Sequence, residues 1–349
     1  MTSESERTMN IRQQLERELS SFLGLKNTVL FSSCRNALYT LLLSLSLQKD
    51  DEVIIQSFIC DSLPQAIEKA GGKPILVEVD DRTFNVDITE VKKNITKKTK
   101  ALVFVHTYGN PSGIREITNL CKKNNIILIE DIAHALGASE EGQLAGSFGD
   151  YTIYSFTKQL VNVGGGALIT NHDVLKICEL RDALDQPAPF MGYMKRLMAS
   201  LYETKAFFFS KILIDIARRN TDLKMVNSLD KNFRCSPLEA YLALRQVQHI
   251  HKAILKRRRN YLLLKDHVPT QRLAKGALSS HNYLSLWFES KDQRDRALAK
   301  NFLFLPPWLG SRLSEKIIFI PNNPSFSKRK LHTFINSYQQ AISEKNAEK

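Results

Sequence analysis

The sequence predicts an α/β fold: a mostly parallel mixed sheet between helices, followed by a smaller C-terminal α/β domain. Three observations predict it. Short apolar runs alternate with amphipathic stretches through the first half of the chain, which is how strands buried on both faces and their crossover helices read. The last apolar runs of that half stand too close together for a helical crossover, so one strand there is expected to be antiparallel. At 349 residues the chain is long for one core, and a large domain with a smaller one is the natural division.

Taken in order, residues 1–10 are polar and read as disordered. Residues 11–24 read as an amphipathic helix, because Ile11, Leu15, Leu19 and Leu23 recur at intervals of four. Strands are expected at Thr28–Phe31, Glu52–Gln56, Pro74–Val79, Ala101–His106, Ile126–Glu130, Thr152–Ser155 and Ala167–Thr170. Helices are expected between most of them, notably at 35–47, 61–70 and 113–124. From 172 to 260 the pattern is helical; strands then follow at 282–289 and 317–320, with helices at 292–301 and 326–343. The expected division is a large domain over 11–240, including a helical segment at 186–228, and a small one over 241–349. The junction falls in a long connecting helix near 235–260.

Composition narrows the function classes. Hydrophobic content of 43% and charged content of 24% suit a globular enzyme. No apolar run approaches bilayer-spanning length, and the polar Met1–Arg7 lacks the apolar core of a signal peptide. Cys34, Cys60, Cys121, Cys178 and Cys235 are scattered and odd in number, with no CxxC pair. Neither a metal site nor a disulfide framework is expected, and a reducing cytoplasm is the expected location. The net charge of +13 is spread along the chain, and its one dense run, Lys256–Arg259, lies in a helical stretch. A solvated face explains that run, and no nucleic-acid partner is expected. Tyr193–Arg219 is apolar at near-helical spacing and rich in Lys and Arg. It reads as helices at a domain or dimer interface, or, as a sharper hypothesis, as a peripheral contact at the inner membrane surface.

Two segments carry the chemistry. Ile129-Glu-Asp-Ile-Ala-His-Ala135 ends a strand with a carboxylate, Asp131, where ligands of open α/β sheets bind. An Asp there is equally able to cap the next helix. Ser155-Phe-Thr-Lys-Gln-Leu160, followed by Gly164, Gly165 and Gly166, puts Lys158 in a turn before a glycine-lined strand. An acid and a lysine so placed are what a pyridoxal phosphate enzyme needs: the lysine carries the cofactor as a Schiff base, and the acid keeps the pyridine nitrogen protonated. Ser32-Ser-Cys-Arg-Asn36 opens a helix, whose unpaired N–H groups and nearby hydroxyls suit a phosphate or an ordinary cap. His106-Thr-Tyr-Gly-Asn-Pro111 forms a polar turn at the same sheet edge. The GxGxxG and GxxxxGK[ST] patterns are absent from the sequence, so dinucleotide and P-loop readings have no motif behind them.

In order and spacing these segments resemble the DegT/DnrJ/EryC1/StrS family of sugar aminotransferases, of the fold-type-I pyridoxal phosphate class. The resemblance runs from about residue 12 to 345. It rests on Phe31-Ser-Ser-Cys-Arg-Asn-Ala-Leu38, Asp51–Ile55, Ala70–Pro74, Val105–Pro111, Ile129–Ala138, Gly149-Asp150, Thr157–Leu160 with Gly165-Gly166, and Asn232–Ser236. It implies that Lys158 holds the cofactor, that Asp131 pairs with the pyridine nitrogen and that His134 lies beside the ring. It implies that Ser33, Cys34, Arg35 and Ser155 hold the phosphate. Asn232 is implied to reach the phosphate of a partner subunit, in a homodimer with shared active sites. His106, Tyr108 and Arg234 are the expected substrate contacts. Four departures stand out: Cys34 where the family usually has glycine; Cys60 near the position of an aromatic that stacks on the ring; a segment before Lys158 that is two residues shorter, where Thr157 could replace Ser155; and Val163-Gly164 before the paired glycines.

The resemblance implies transamination, with glutamate as donor and a keto-sugar, expected to be nucleotide-linked, as acceptor, in amino-sugar or cell-surface glycan biosynthesis. Two alternatives stay open on the sequence: another pyridoxal phosphate reaction on the same fold, such as dehydration, and a catalytically degenerate binding or regulatory homologue.

Overall fold

The structure is a computed structural model. It describes residues 10–160, 162–186, 232–300, 308 and 311–343. The expected disorder at 1–10, apart from Asn10, which is ordered as a helix cap, lies outside the described residues, as do most of the helical segment 186–228 and the candidate membrane contact 193–219.

Helix α1 (Ile11–Leu23) starts where Asn10 accepts the amides of Arg12 and Gln13 and Gln13 bonds back to the Asn10 amide, a capping box. It ends at Gly24, which adopts φ 69°. Its Leu15, Leu19 and Leu23 are buried. The alternation then runs β1 (Asn27–Phe31), α2 (Cys34–Ser44), β2 (Glu52–Gln56), α3 (Ser62–Lys69), β3 (Lys73–Val77), α4 (Ile88–Asn94), β4 (Thr99–Val105), α5 (Ile114–Asn124) and β5 (Ile127–Asp131). Two short strands, β6 (Ser139–Glu140) and β7 (Gln143–Leu144), precede β8 (Tyr151–Ser155), the four-residue α6 (Phe156–Gln159), β9 (Gly166–Thr170) and α7 (Leu175–Leu184).

Seven strands form one sheet in the order β1-β9-β8-β5-β4-β2-β3. Only β9 runs against the rest, pairing antiparallel with both β1 and β8. This is the antiparallel strand that the sequence spacing predicts. Because side chains alternate along each strand, Val29 and Phe31 of β1 join the core under α2, α3 and α7, while Leu30 joins the core under α1. The edge strand β3 tolerates Pro74, which an interior strand would not.

Helix α8 (Pro237–Val247) starts with a capping box of Ser236 and Glu239, and α9 (Ile250–Leu264) follows. The single connecting helix expected at 235–260 is therefore two helices, parted at Gln248 and His249. Ile250 and Ile254 pack in the core shared with α1, while Leu264 packs in a separate core with β11 (Tyr283–Trp287), α10 (Lys291–Lys300), β12 (Ile317–Pro321) and α11 (Lys328–Ser343). Strands β11 and β12 pair antiparallel. β10 (Ala277–Leu278) adds to β6 and β7, tying this part of the chain to the loop after β5.

Candidate active site

All the parallel strands end at one edge of the sheet, and the antiparallel β9 begins there. The segments following β1, β2, β4, β5 and β8 therefore gather around the first residues of β9. Three backbone contacts seal that edge: the Gly165 amide donates to Ser32 O (2.8 Å), the Phe156 amide donates to Gly165 O (3.1 Å), and the Ile132 amide donates to Ile153 O (3.0 Å). The glycines are required here. Gly165 has φ 93°, and a Cβ on Gly166 would stand 2.4 Å from the Cys34 amide nitrogen. The bare backbone of Gly166 thus lets the start of α2 lie against the strand that leads from the Lys158 turn.

At the start of α2, Ser33 is the N-cap, and its Oγ accepts the Asn36 amide (3.1 Å). Cys34 and Arg35 are the first helical residues. The Cys34 thiol is held well above its ordinary pKa, chiefly by burial and then by the nearby Asp131 charge, while Lys158 and Arg35 act in the opposite sense. Cys60, just ahead of α3, lies close enough to influence Cys34, and its Sγ is 3.2 Å from Ser62 Oγ. Ser155 Oγ lies 3.2 Å from Thr157 Oγ1, so both hydroxyls sit together beside the lysine turn.

Asp131 is the last residue of β5 and is buried. Its Oδ1 accepts one bond, from the Ala133 amide (2.8 Å). Burial raises its pKa to about 6, against the lowering influence of that bond, His106 and Lys158. His134 is buried as well, and burial, aided by the Lys158 charge, lowers its pKa to about 3. It is therefore a neutral ring at physiological pH. Trp308 stacks on it with centroids 5.6 Å apart and planes 7° apart, and Tyr283 meets it edge-on at 4.8 Å. Lys158, in α6, is partly buried and influences Asp131, His134 and Cys34. The sequence-predicted Lys158, Asp131, His134, Ser33, Cys34, Arg35 and Ser155 are thus brought to one sheet edge.

The other four are placed differently. His106 is fully buried, and its Nε2 is 2.8 Å from Glu130 Oε2. That geometry gives His106 a part in the fold, tying the end of β4 to Glu130 of β5. Tyr108 lies at φ 57° in a buried aromatic cluster with Phe58, Phe84, Tyr283, Trp308 and Phe319, and among the described residues its hydroxyl has no hydrogen-bond partner. Asn232 sits on its own chain's β1–α2 corner, where its carbonyl accepts from Asn36 Nδ2 (3.0 Å) and from Ser32 Oγ. The half-exposed Arg234 pairs with Asp182 (3.2 Å) and Asp185 (3.2 Å).

Sequence reasoning missed the residues that brace the site from elsewhere. Gln159 clamps Leu136 through both its amide groups (2.9 and 2.8 Å). Ser280 Oγ donates to His134 O (2.6 Å), and Asn282 Nδ2 donates to Lys158 O (3.1 Å). The last two precede β11, more than a hundred residues from their partners, and no local pattern marks them. Among the described residues no cluster could hold a metal ion.

The sequence profile of the DegT/DnrJ/EryC1/StrS aminotransferase family matches residues 3–297. The chain belongs to that family. Within it, a GDP-perosamine synthase of Vibrio cholerae is 32% identical over 164 residues, 46% of this chain and 45% of its own length. A UDP-N-acetyl-3-dehydro-alpha-D-glucosamine 3-aminotransferase of Acidithiobacillus ferrooxidans is 36% identical over 166 residues, 47% of this chain and 45% of its own length. The chain spans about half the length of the curated relatives it matches. Solved structures share the fold over nearly the whole chain. The aminotransferase TlmJ from Streptoalloteichus hindustanus superposes with TM-score 0.76 at 18% identity, covering 96% of this chain and 91% of that one. DesV of S. venezuelae, solved in complex with a ketimine intermediate, gives 0.73 at 18% identity, with 97% and 91% covered. The family and fold expected from the sequence are both borne out. Among the described residues no helix is long and apolar enough to cross a membrane.

The residues present fit pyridoxal phosphate. Among the described residues the buried Asp131 carboxyl has a single hydrogen-bond donor, and its pKa is raised, so a cationic ring nitrogen is the partner that would relieve it. The start of α2, pressed against Gly166, offers backbone amides to a phosphate.

Proposed function

We propose that this protein is a pyridoxal phosphate-dependent aminotransferase that moves an amino group from glutamate to a nucleotide-linked keto-sugar. The observation that carries the reading is the meeting of Lys158, Asp131 and His134 with the start of α2 at one sheet edge. When bound, the cofactor supplies an electron sink for the charge that develops at the reacting carbon. Lys158 would hold the cofactor through its amine and, once released, move the proton at the substrate carbon as general acid and base. Asp131 would face the ring nitrogen as a carboxylate, and its burial strengthens that pairing. Ser33, the amides of Cys34 and Arg35, and the hydroxyls of Ser155 and Thr157 would hold the phosphate. His134, kept neutral by burial, would lie beside the ring without competing for its protons.

The acceptor class is supported by relatives named for nucleotide-linked sugars. We place Asn232 and Arg234 in the active site of a second copy of the chain, in a homodimer with shared sites, and take 11–240 and 241–349 as the two domains. Lys158 favours amino transfer over dehydration, which in this family goes with replacement of the lysine.

The test is an absorbance spectrum of the purified protein with pyridoxal phosphate, before and after glutamate. A visible band that bleaches with glutamate and returns with a keto-sugar acceptor supports the reading. A band that ignores glutamate rejects the donor, and no band at all rejects the assignment of Lys158.

A further inference from the structure

The C-terminal carbonyls of the short helix α6 are held from outside by side chains of the C-terminal third of the chain. Lys158 O accepts from Asn282 Nδ2 (3.1 Å), and Gln159 O accepts from Arg257 Nη2 (2.7 Å). The donors belong to one buried network. Arg257 Nε donates to Asn322 O (3.2 Å). The Asn322 side-chain amide donates to Arg257 O (2.9 Å) and His281 O (2.9 Å), its Oδ1 accepts from Asn260 Nδ2 (2.9 Å), and its backbone amide donates to Asn282 O (2.9 Å). Arg257, Asn260, Asn282 and Asn322 are each at most 6% exposed.

A helix of four residues cannot satisfy its own last carbonyls, and nothing in α6 itself fixes the direction in which Lys158 leaves the backbone. Arg257 is the unusual member. Among the described residues its buried guanidinium has only carbonyls as hydrogen-bond partners, Nη1 has none, and the polar groups facing it are the phenols of Tyr154 and Tyr283. A buried cation without a carboxylate is costly to keep, and a neutral side chain would hold a carbonyl as well. What it adds is a positive charge at the negative end of α6, one residue from Lys158.

We propose that Arg257 and Asn282, organised by Asn322, are positioning residues for Lys158: a polar clasp from α9 and the strand ends of the small sheet that fixes the lysine turn and sets a buried positive charge at its carbonyl end. The inference rests on the role of Lys158 proposed above. The clasp acts on the Lys158 and Gln159 carbonyls, so it sets how the amine is aimed without touching a substrate. Any shift of α9 relative to β8 pulls on the lysine turn, which couples the two cores to the chemistry.

The test compares Asn282→Ala, Arg257→Met and Arg257→Lys. Three readouts are taken: amide hydrogen exchange at 156–160 in the cofactor-free protein, the pH titration of the visible band with cofactor, and kcat and KM for glutamate. The clasp predicts faster exchange at 156–160 in Asn282→Ala and Arg257→Met. It predicts a kcat lowered by roughly 10- to 100-fold with KM little changed, as a misaimed reacting group gives. The band should titrate at higher pH in Arg257→Met, where the charge is gone, and near the unsubstituted value in Arg257→Lys, which keeps it. A lower melting temperature with unchanged exchange at 156–160, band titration and kcat would mean a merely structural network and overturns the proposal. Should Arg257→Met fail to fold, Asn282→Ala decides alone, because it removes one amide and leaves the Asn282 carbonyl in place for Asn322. If the unsubstituted protein shows no visible band, the role of Lys158 falls and the clasp falls with it. A band present in the unsubstituted protein and unaltered in every variant overturns the clasp alone.

Discussion

Glu130 and Asp131 are neighbours on β5, both buried, and they face opposite sides of one sheet. Glu130 accepts from the amides of Gly146 (2.8 Å), Phe148 (2.7 Å) and Gly149 (2.7 Å) and lies 2.8 Å from His106 Nε2. Among the described residues Asp131 accepts from Ala133 alone. Four partners make Glu130 a structural acid, which pins the loop that leads into β8. One partner leaves Asp131 short of donors, with its pKa raised to about 6. A buried acid surrounded by donors serves the fold, whereas a buried acid kept short of them is held ready for a ligand.

The sharpest break in that contrast comes from Glu130→Ala, which takes the acceptor from three backbone amides, two of them buried, and the partner from the buried His106 ring. It is expected to cost about 4 kcal/mol in chemical denaturation, with visible-band formation lost only through unfolding. Asp131→Asn should do the reverse. A carboxyl whose pKa rises from 3.8 to about 6 on folding resists ionisation in the native state, so the penalty is absent below pH 3.8, grows between 3.8 and 6, and is complete above 6. The substitution is therefore expected to stabilise the cofactor-free protein by about 3 kcal/mol at pH 8 and by almost nothing at pH 3.5. It should also weaken pyridoxal phosphate binding sharply. Equal loss of stability in both variants would erase the distinction.

His134 sharpens the comparison from the site side. Its pKa falls from 6.5 to about 3 on folding, so only the unfolded chain takes up a proton as pH drops below 6.5. The unsubstituted protein should therefore lose about 2 kcal/mol more than His134→Gln between pH 6.5 and pH 5, read from denaturation midpoints. The smallest effect concerns Cys34: its thiol, held well above 9 by burial and Asp131, should resist alkylation at pH 8 in the native protein.

Much of this was legible in the sequence, for physical reasons. Strand runs such as Glu52–Gln56 and the Leu15–Leu19–Leu23 stripe declare themselves by periodicity, and every parallel strand must bring its carboxyl end to one edge. Asp131 and Lys158 follow from that rule once the strands are placed. The partner of His106 was not legible: a polar residue at a strand end reads as open to a ligand, while Glu130, which its ring meets, comes from a neighbouring strand twenty-four residues on. Arg257, Asn282 and Asn322 were illegible because their hydrogen bonds reach residues far away in the chain, and a run of basic residues on a helix looks solvated until one of them is found facing inward. The break at Gln248 was hidden by helix-forming residues on both sides of it.

The most direct test of the central claim is borohydride reduction of the protein with bound pyridoxal phosphate, followed by peptide mass mapping. The account predicts a single stable cofactor adduct on Lys158, absent in Lys158→Ala, and an adduct yield that falls strongly in Asp131→Asn. An adduct on any other lysine, or an unchanged yield in Lys158→Ala, would contradict it.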